Sequence, residues 1–517
     1  MPSAPLGGRS FSRPSAAYVL RGWLVVFAAS LAVYAATANR GPQWQDSGHF
    51  ILSIYTDQLV NPLGLALSHP LHHWLGRLAL ALHFAEPSYA ITLVSSLGAA
   101  LAVANVFGCV CYLTSSRAAA AFAAISLGVA HTFWHLATTT EVYTLSAALL
   151  AGECWCLAAF LRERRRGFLW AAMLLNGLGL ANHLQAVLTT PVLAVVVLAA
   201  LATRRLRWDA AAVGVLLWIT GSLPYTVLVA REIAATGDWA STLRSALMGE
   251  AGRYGQNVLN FHPSLRILAV SVGFTVLCFP NLLIPAALAG LARARSVGIE
   301  PAIRRALLAG LLIHAAFVCR YSVIDQHTFF LPTYVLLAVF GGIGAAYVLR
   351  WPARQSAPIA AIGVILLAST PVLYALTPSI ARHFDVLRDL ARHKPYRDDY
   401  VYLFSPWGCA DRSAQIMSEE ALRLAGSGGL ILVEDPMAIE AIEFAALRSG
   451  LAGLEVRSLP SRRPASLAKR QQVFREAADA AARRAVVLVP ANMDDPLPDG
   501  LALRREGDLF VVIGPAS

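Results

Sequence analysis

The chain has 517 residues, of which 57% are hydrophobic and only 14% charged, where an ordinary soluble domain carries about 25% charged residues. That composition excludes a water-soluble enzyme and an intrinsically disordered chain. The net charge of +11 does not mark a nucleic-acid binder, because residues 380–517 carry 18 Lys and Arg against 19 Asp and Glu. The basic excess lies in short loops of the apolar part, where it reads as topology signals.

Apolar stretches long enough for a bilayer predict eleven transmembrane helices, at roughly 18–38, 88–113, 117–136, 141–161, 167–183, 186–203, 208–231, 266–293, 303–319, 328–349 and 357–378. Residues 70–84 are apolar but short and contain His72, His73 and Arg77. If they crossed, the basic run 162–166 would fall outside. Read as a juxtamembrane helix, they leave the basic loops 162–166, 204–207, 293–305 and 350–354 on one side, the cytoplasmic one by the positive-inside rule. The amino terminus is then cytoplasmic, residues 1–379 form the membrane domain, and 380–517 lie outside.

The outer segment reads as a small α/β domain. Short buried-strand runs stand at 429–433, 485–489 and 509–513, with helical patterns at 413–426, 437–449 and 465–483. It contains no glycine-rich phosphate loop. The seven cysteines fall mostly in apolar spans without metal-ligand spacing and read as packing residues.

With this topology, the acids, histidines and tyrosines collect on the outer face. Asp46, His49, Asp57 and His69 lie in the first outer loop, 138–143 in a later turn, and Asn182, His183 and Gln185 in the next. The long loop 231–262 and the loop 320–327 follow. The midplane holds few ionisable groups, Glu153 and His314 excepted, whereas transporters place such groups there. A site at the outer surface suits chemistry on a lipid-linked substrate. The second reading is a transporter or flippase of lipid-linked sugars.

Trp44-Gln45-Asp46-Ser47-Gly48-His49, followed by Leu65-Ala66-Leu67-Ser68-His69-Pro70, resembles the Asp-Ser-Gly … His-Pro signature of the bacterial and animal multi-spanning protein O-mannosyltransferase-like family. This is the glycosyltransferase family 117 type of the GT-C superfamily. Glu141-Val142-Tyr143, Asn182-His183, Gly237-Asp238-Trp239, Tyr321 to Asp325 and Phe329-Phe330-Leu331-Pro332 continue the likeness in order over most of residues 40–345. The sequence departs from the family at His49, where an acid is usual, and in a shortened His-Pro-Pro-Gly-Tyr run.

The resemblance implies a GT-C-like polytopic α-helical membrane protein, with juxtamembrane helices in the first outer loop and a C-terminal α/β domain outside. It implies an inverting transferase that moves a sugar, a hexose such as mannose, from a polyprenyl-phosphate donor to an acceptor hydroxyl. Inversion needs a base and a partner for the departing phosphate. Asp46 is the expected base, although Asp-Ser-Gly is also ordinary turn chemistry. His69, Arg253, Tyr254 and Arg320 are expected at the donor phosphate, arginine because it binds phosphate bidentately. His49, Glu141, Tyr143, His183, Tyr321 and Asp325 are expected at sugar or acceptor. No Asp-x-Asp motif sits in an outer loop, so neither metal nor other cofactor is expected. The expected partners are the lipid-linked donor and an acceptor protein, glycan or lipid, with no nucleic acid. The expected location is a bacterial inner membrane, with the site in the periplasm.

Overall fold

The computed structural model describes residues 15–249, 260, 265–321, 323, 325–388 and 391–516. Among the described residues, eight helices are long and apolar enough to cross a membrane, or ten if each of two bent pairs is one span. The first pair, Arg117–Gly128 and His131–Thr138, bends by 66°. The second, Ile267–Cys278 and Leu283–Val297, bends by 103°. Pro280 lies in that break, where its missing N–H and fixed φ stop helix propagation.

The expected span at 167–183 is the 17-residue helix Arg166–Asn182. At 1.5 Å per residue it extends about 25 Å, near the lower limit for a bilayer. Its ends nevertheless lie on opposite faces. It begins beside Arg162, which meets Glu300 at 3.6 Å. It ends at Asn182, whose amide donates to the Val142 carbonyl at 2.8 Å. Gly177 lets it press on its neighbour, since a Cβ there would stand 2.2 Å from the Trp218 carbonyl oxygen. Close backbone approach at small residues is how membrane helices gain packing energy without a hydrophobic drive.

Basic loops far apart in sequence meet on one face of the bundle. Besides the Arg162–Glu300 pair, Arg350 donates to the Ser296 and Val297 carbonyls at 2.7 and 3.1 Å. The opposite face carries the C-terminal unit. Residues 70–84 form the helix Pro70–Ala81, with proline in its first turn. Pro70, His72, His73, Gly76 and Ala79 are buried inward, while Trp74, Leu78 and Leu82 are exposed at four-residue spacing. That is the stripe of a helix lying on an apolar surface.

The last apolar helix, Ala353–His383, runs past the expected boundary. Beyond it, five strands form one sheet: β1 (Leu430–Val433), β2 (Glu455–Ser458), β3 (Val486–Val489), β4 (Leu501–Glu506) and β5 (Leu509–Pro515). Their order is β2-β1-β3-β5-β4. β1 pairs in parallel with β2 and β3, and β5 is antiparallel to β3 and β4. Helices Ser413–Ala425, Ile439–Ser449 and Leu467–Ala481 match the expected patterns. The sequence reading missed β2 and β4. Both are edge strands, with polar residues where an apolar run would have marked them.

Candidate active site on the outer face

The helix Gln45–Tyr55 carries Asp46 in its first turn, where the helix dipole favours a carboxylate. Gln45 sits at φ +59°, in the left-handed region that side chains avoid. Two contacts over-determine it. The Gln45 N–H donates to the Met437 carbonyl at 2.9 Å. Trp44, 3% exposed, lies in the C-terminal domain core and donates its indole N–H to Ser413 Oγ at 2.8 Å. The motif glycine has a steric reason, since a Cβ on Gly48 would lie 2.4 Å from the Gln43 carbonyl oxygen.

Ser47 donates to Glu141 Oε1 at 2.8 Å. Glu141 is fixed by Ser95, whose hydroxyl accepts the Glu141 N–H and donates to the Glu141 carbonyl, both at 2.8 Å. Gln43 ties down the preceding residue by accepting the Thr140 N–H at 2.9 Å. A polar lattice thus joins the first outer loop to the turn before helix Tyr143–Glu163. Ser47, Ser95 and Gln43 had not been singled out from the sequence, and only Ser47 lay inside a motif.

Three carboxyls face one another across this lattice. Asp46 is open to solvent on one side yet has enough protein around it that desolvation raises its carboxyl above the usual range, against the opposing charge of His49. Burial drives Glu141 well above its ordinary value, with the charges of Asp46 and Asp325 adding to the effect and Ser47 working against it. Asp325 is pushed up to about 6 by burial and by Asp46. Such an arrangement separates roles at neutral pH. Glu141 is raised the further above its ordinary value, so Asp46 ionises ahead of it.

An aromatic and imidazole wall adjoins the carboxyls. Tyr143 lies 5.2 Å from His183 and 5.3 Å from Phe329, and Tyr321 lies 4.8 Å from Phe329. His69 stacks on His183 at 5.2 Å. The His69 Nδ1 donates to the Asn182 carbonyl at 2.8 Å, and burial lowers the ring to about 4. Neutral His69 therefore offers a lone pair at Nε2, which suits a hydroxyl better than a phosphate. His183 Nδ1 accepts the Gln185 N–H at 3.2 Å, and burial lowers this ring to about 3.

Of the residues expected at the phosphate, Arg253 and Tyr254 lie outside the described residues. Arg320 donates to the Asn260 carbonyl at 2.9 Å and lies 5.2 Å over Phe317. His72 and His73 belong to the framework: His72 is buried beside Phe50, and His73 pairs with Asp57 at 3.0 Å. Asp57 also meets Arg77, which binds the Ile54 and Tyr55 carbonyls.

His49, close enough to His69 to act on it electrostatically, meets Asn61 at 3.1 Å and Glu440 at 4.0 Å. Glu440 belongs to the C-terminal domain, and no sequence motif announced it. Only the tertiary contact brings it here.

Residues 46–206 match the family model described as the protein O-mannosyl-transferase TMEM260 N-terminal domain. No curated protein sequence matches the chain. Among solved structures, the fold is similar to ArnT from Cupriavidus metallidurans bound to undecaprenyl phosphate. The TM-score is 0.62 at 15% identity, over 95% of this chain and 98% of that one. The apo state of the same protein gives 0.60, with equal identity and coverage. The arabinofuranosyltransferase AftD from Mycobacteria gives 0.52 at 15% identity, over 98% of this chain and 40% of that one. The chain is therefore a multi-pass membrane protein with a GT-C glycosyltransferase-like fold, and the segment holding Asp46, Glu141 and His183 is similar to the TMEM260 O-mannosyl-transferase N-terminal domain.

Proposed function

We propose that the protein is an inverting glycosyltransferase that moves a sugar, a hexose such as mannose, from a polyprenyl-phosphate donor to an acceptor hydroxyl at the outer membrane face. The observation that carries this reading is the grouping of Asp46, Glu141 and Asp325 on the face opposite the basic loops, with Asp46 on the first outer loop. In this reading Asp46 takes the proton of the acceptor hydroxyl, whose oxygen attacks the anomeric carbon from the face opposite the phosphate. The carbon–phosphate-oxygen bond breaks, and polyprenyl phosphate leaves with the bonding pair.

His49, Glu141, Tyr143, His183, Tyr321 and Asp325 line the sugar and acceptor positions. His69 accepts a hydroxyl beside them, and Arg320 is assigned to the departing phosphate; Arg253 and Tyr254, outside the described residues, keep that role from the sequence alone. The positive loops support placing the site and the C-terminal domain outside, in the periplasm of a bacterial inner membrane. The acceptor is a protein, glycan or lipid hydroxyl, and the reading assigns no role to a metal.

The experiment measures polyprenyl phosphate released from undecaprenyl-phosphate mannose by purified full-length protein. Release by wild type and its loss in a folded Asp46→Asn variant are expected. Full turnover in that variant removes Asp46 as the base. A second reading, a transporter of lipid-linked sugars, is favoured by one observation. Glu153, held by Asn176 at 3.0 Å, lines a cavity inside the bundle with His314. Undecaprenyl-phosphate mannose crossing liposomes intact would select it.

A further inference from the structure

The C-terminal domain meets the Asp46 loop along the carboxyl edge of its sheet. From β1 the chain goes to β2 on one side and then to β3 on the other, so the order of the strands reverses between β1 and β3. Open α/β sheets place ligands at that edge and at that reversal. Here the segment that follows β1 is laid on the transferase loop instead. Met437 takes the Gln45 N–H, Phe444 packs edge-on to Tyr55 at 5.3 Å, and Arg448 meets Glu86 at 3.4 Å. Glu440 lies in the first turn of helix Ile439–Ser449, and its carboxylate stands 4.0 Å from His49 Nδ1. Both side chains are 24% exposed, open to the same space.

The protonation of His49 follows from its other neighbour. Asn61 Oδ1 accepts the Leu63 N–H at 2.8 Å, which leaves Asn61 Nδ2 to face His49 Nε2 at 3.1 Å. An amide nitrogen only donates, so Nε2 accepts. The neutral ring then carries its proton on Nδ1, directed at Glu440. His49 is one helical turn from Asp46 and electrostatically coupled to it.

We propose that Glu440 is a positioning residue of the transferase site, acting through His49 on the acceptor side of Asp46, so that the C-terminal domain supplies part of the reaction centre. This rests on the reading of Asp46 as the base. Burial raises Glu440 to about 7, with Glu443 and Asp46 adding to the effect. The titratable groups facing the pair are Asp46, Glu443 and His69.

The test uses full-length protein in nanodiscs, with undecaprenyl-phosphate mannose as donor and water as acceptor, from pH 5.5 to 8.5. Glu440→Gln and His49→Asn should each slow release about tenfold, and the double variant should be no slower than either single one, because coupled residues are non-additive. Glu440→Gln should also lose a pH inflection near 7 that wild type shows and Glu440→Asp retains. Unchanged release, or losses that multiply, overturns the proposal. A second readout needs no substrate. The ring ¹⁵N signals of His49, assigned through His49→Asn, should move in Glu440→Gln, and signals that stay in place overturn the pairing. If they move while no form of the protein releases polyprenyl phosphate, the pair stands and the transferase reading falls.

Discussion

Beside the sheet of the C-terminal domain buried acids are matched by bases, whereas at the end of the bundle that holds Asp46 they confront one another. Glu434 lies between Arg470 and Arg462, Asp435 meets Lys394, and Asp399 meets Arg397 at 2.6 Å. Asp46, Glu141 and Asp325 are instead all raised by burial, and the Asp46 charge raises Glu141 and Asp325 further. A fold selected for stability alone would pair or discard such groups. Their retention on one face is what the proposed reaction needs, since it uses charge there.

The sharpest way to break this contrast is Asp46→Asn, which should cut polyprenyl phosphate release about 10²–10⁴-fold and leave the unfolding midpoint in place. Glu434→Ala should do the reverse. Leaving Arg470 without its buried partner should cost about 3–5 kcal/mol, read by chemical denaturation of the detergent-solubilised protein. A loss that small changes in ellipticity cannot resolve would contradict the buried pair.

Asp325→Asn probes the like-charge term within the cluster. The base must be ionised, so activity falls as pH drops through the raised value of Asp46. The Asp46 charge raises Asp325, and because Coulomb repulsion is reciprocal, removing Asp325 should relieve Asp46 and move the acid limb of the pH–rate profile to lower pH by under about one unit. A limb that stays put would mean that the two carboxyls do not sense each other. The smallest effect belongs to Arg457→Ala. Its pair with Glu455 at 2.6 Å is more than a third exposed on both sides, and its loss should cost less than about 1 kcal/mol in the same denaturation experiment.

The spans were legible because a bilayer demands long apolar runs, and the C-terminal helices and central strands because burial leaves a periodic or continuous apolar trace. The edge strands β2 and β4 left no such trace, since one side of each has no neighbour to bury it. Asp46, Glu141 and Asp325 were legible as residue types that the loop charges put on the face opposite the basic loops. Ser95 and Gln43, which hold the Glu141 turn, look like ordinary polar residues in the sequence.

The sequence by itself thus determined a membrane bundle with basic loops on one face and polar, acidic turns on the other, because hydropathy and loop charge act locally along the chain. Only the tertiary structure decided that Trp44 anchors in the C-terminal core, that Gln45 is held left-handed by Met437, and that Glu440 faces His49. Those contacts join residues nearly four hundred positions apart. No local pattern encodes them, because they arise only where segments far apart in the chain are brought together.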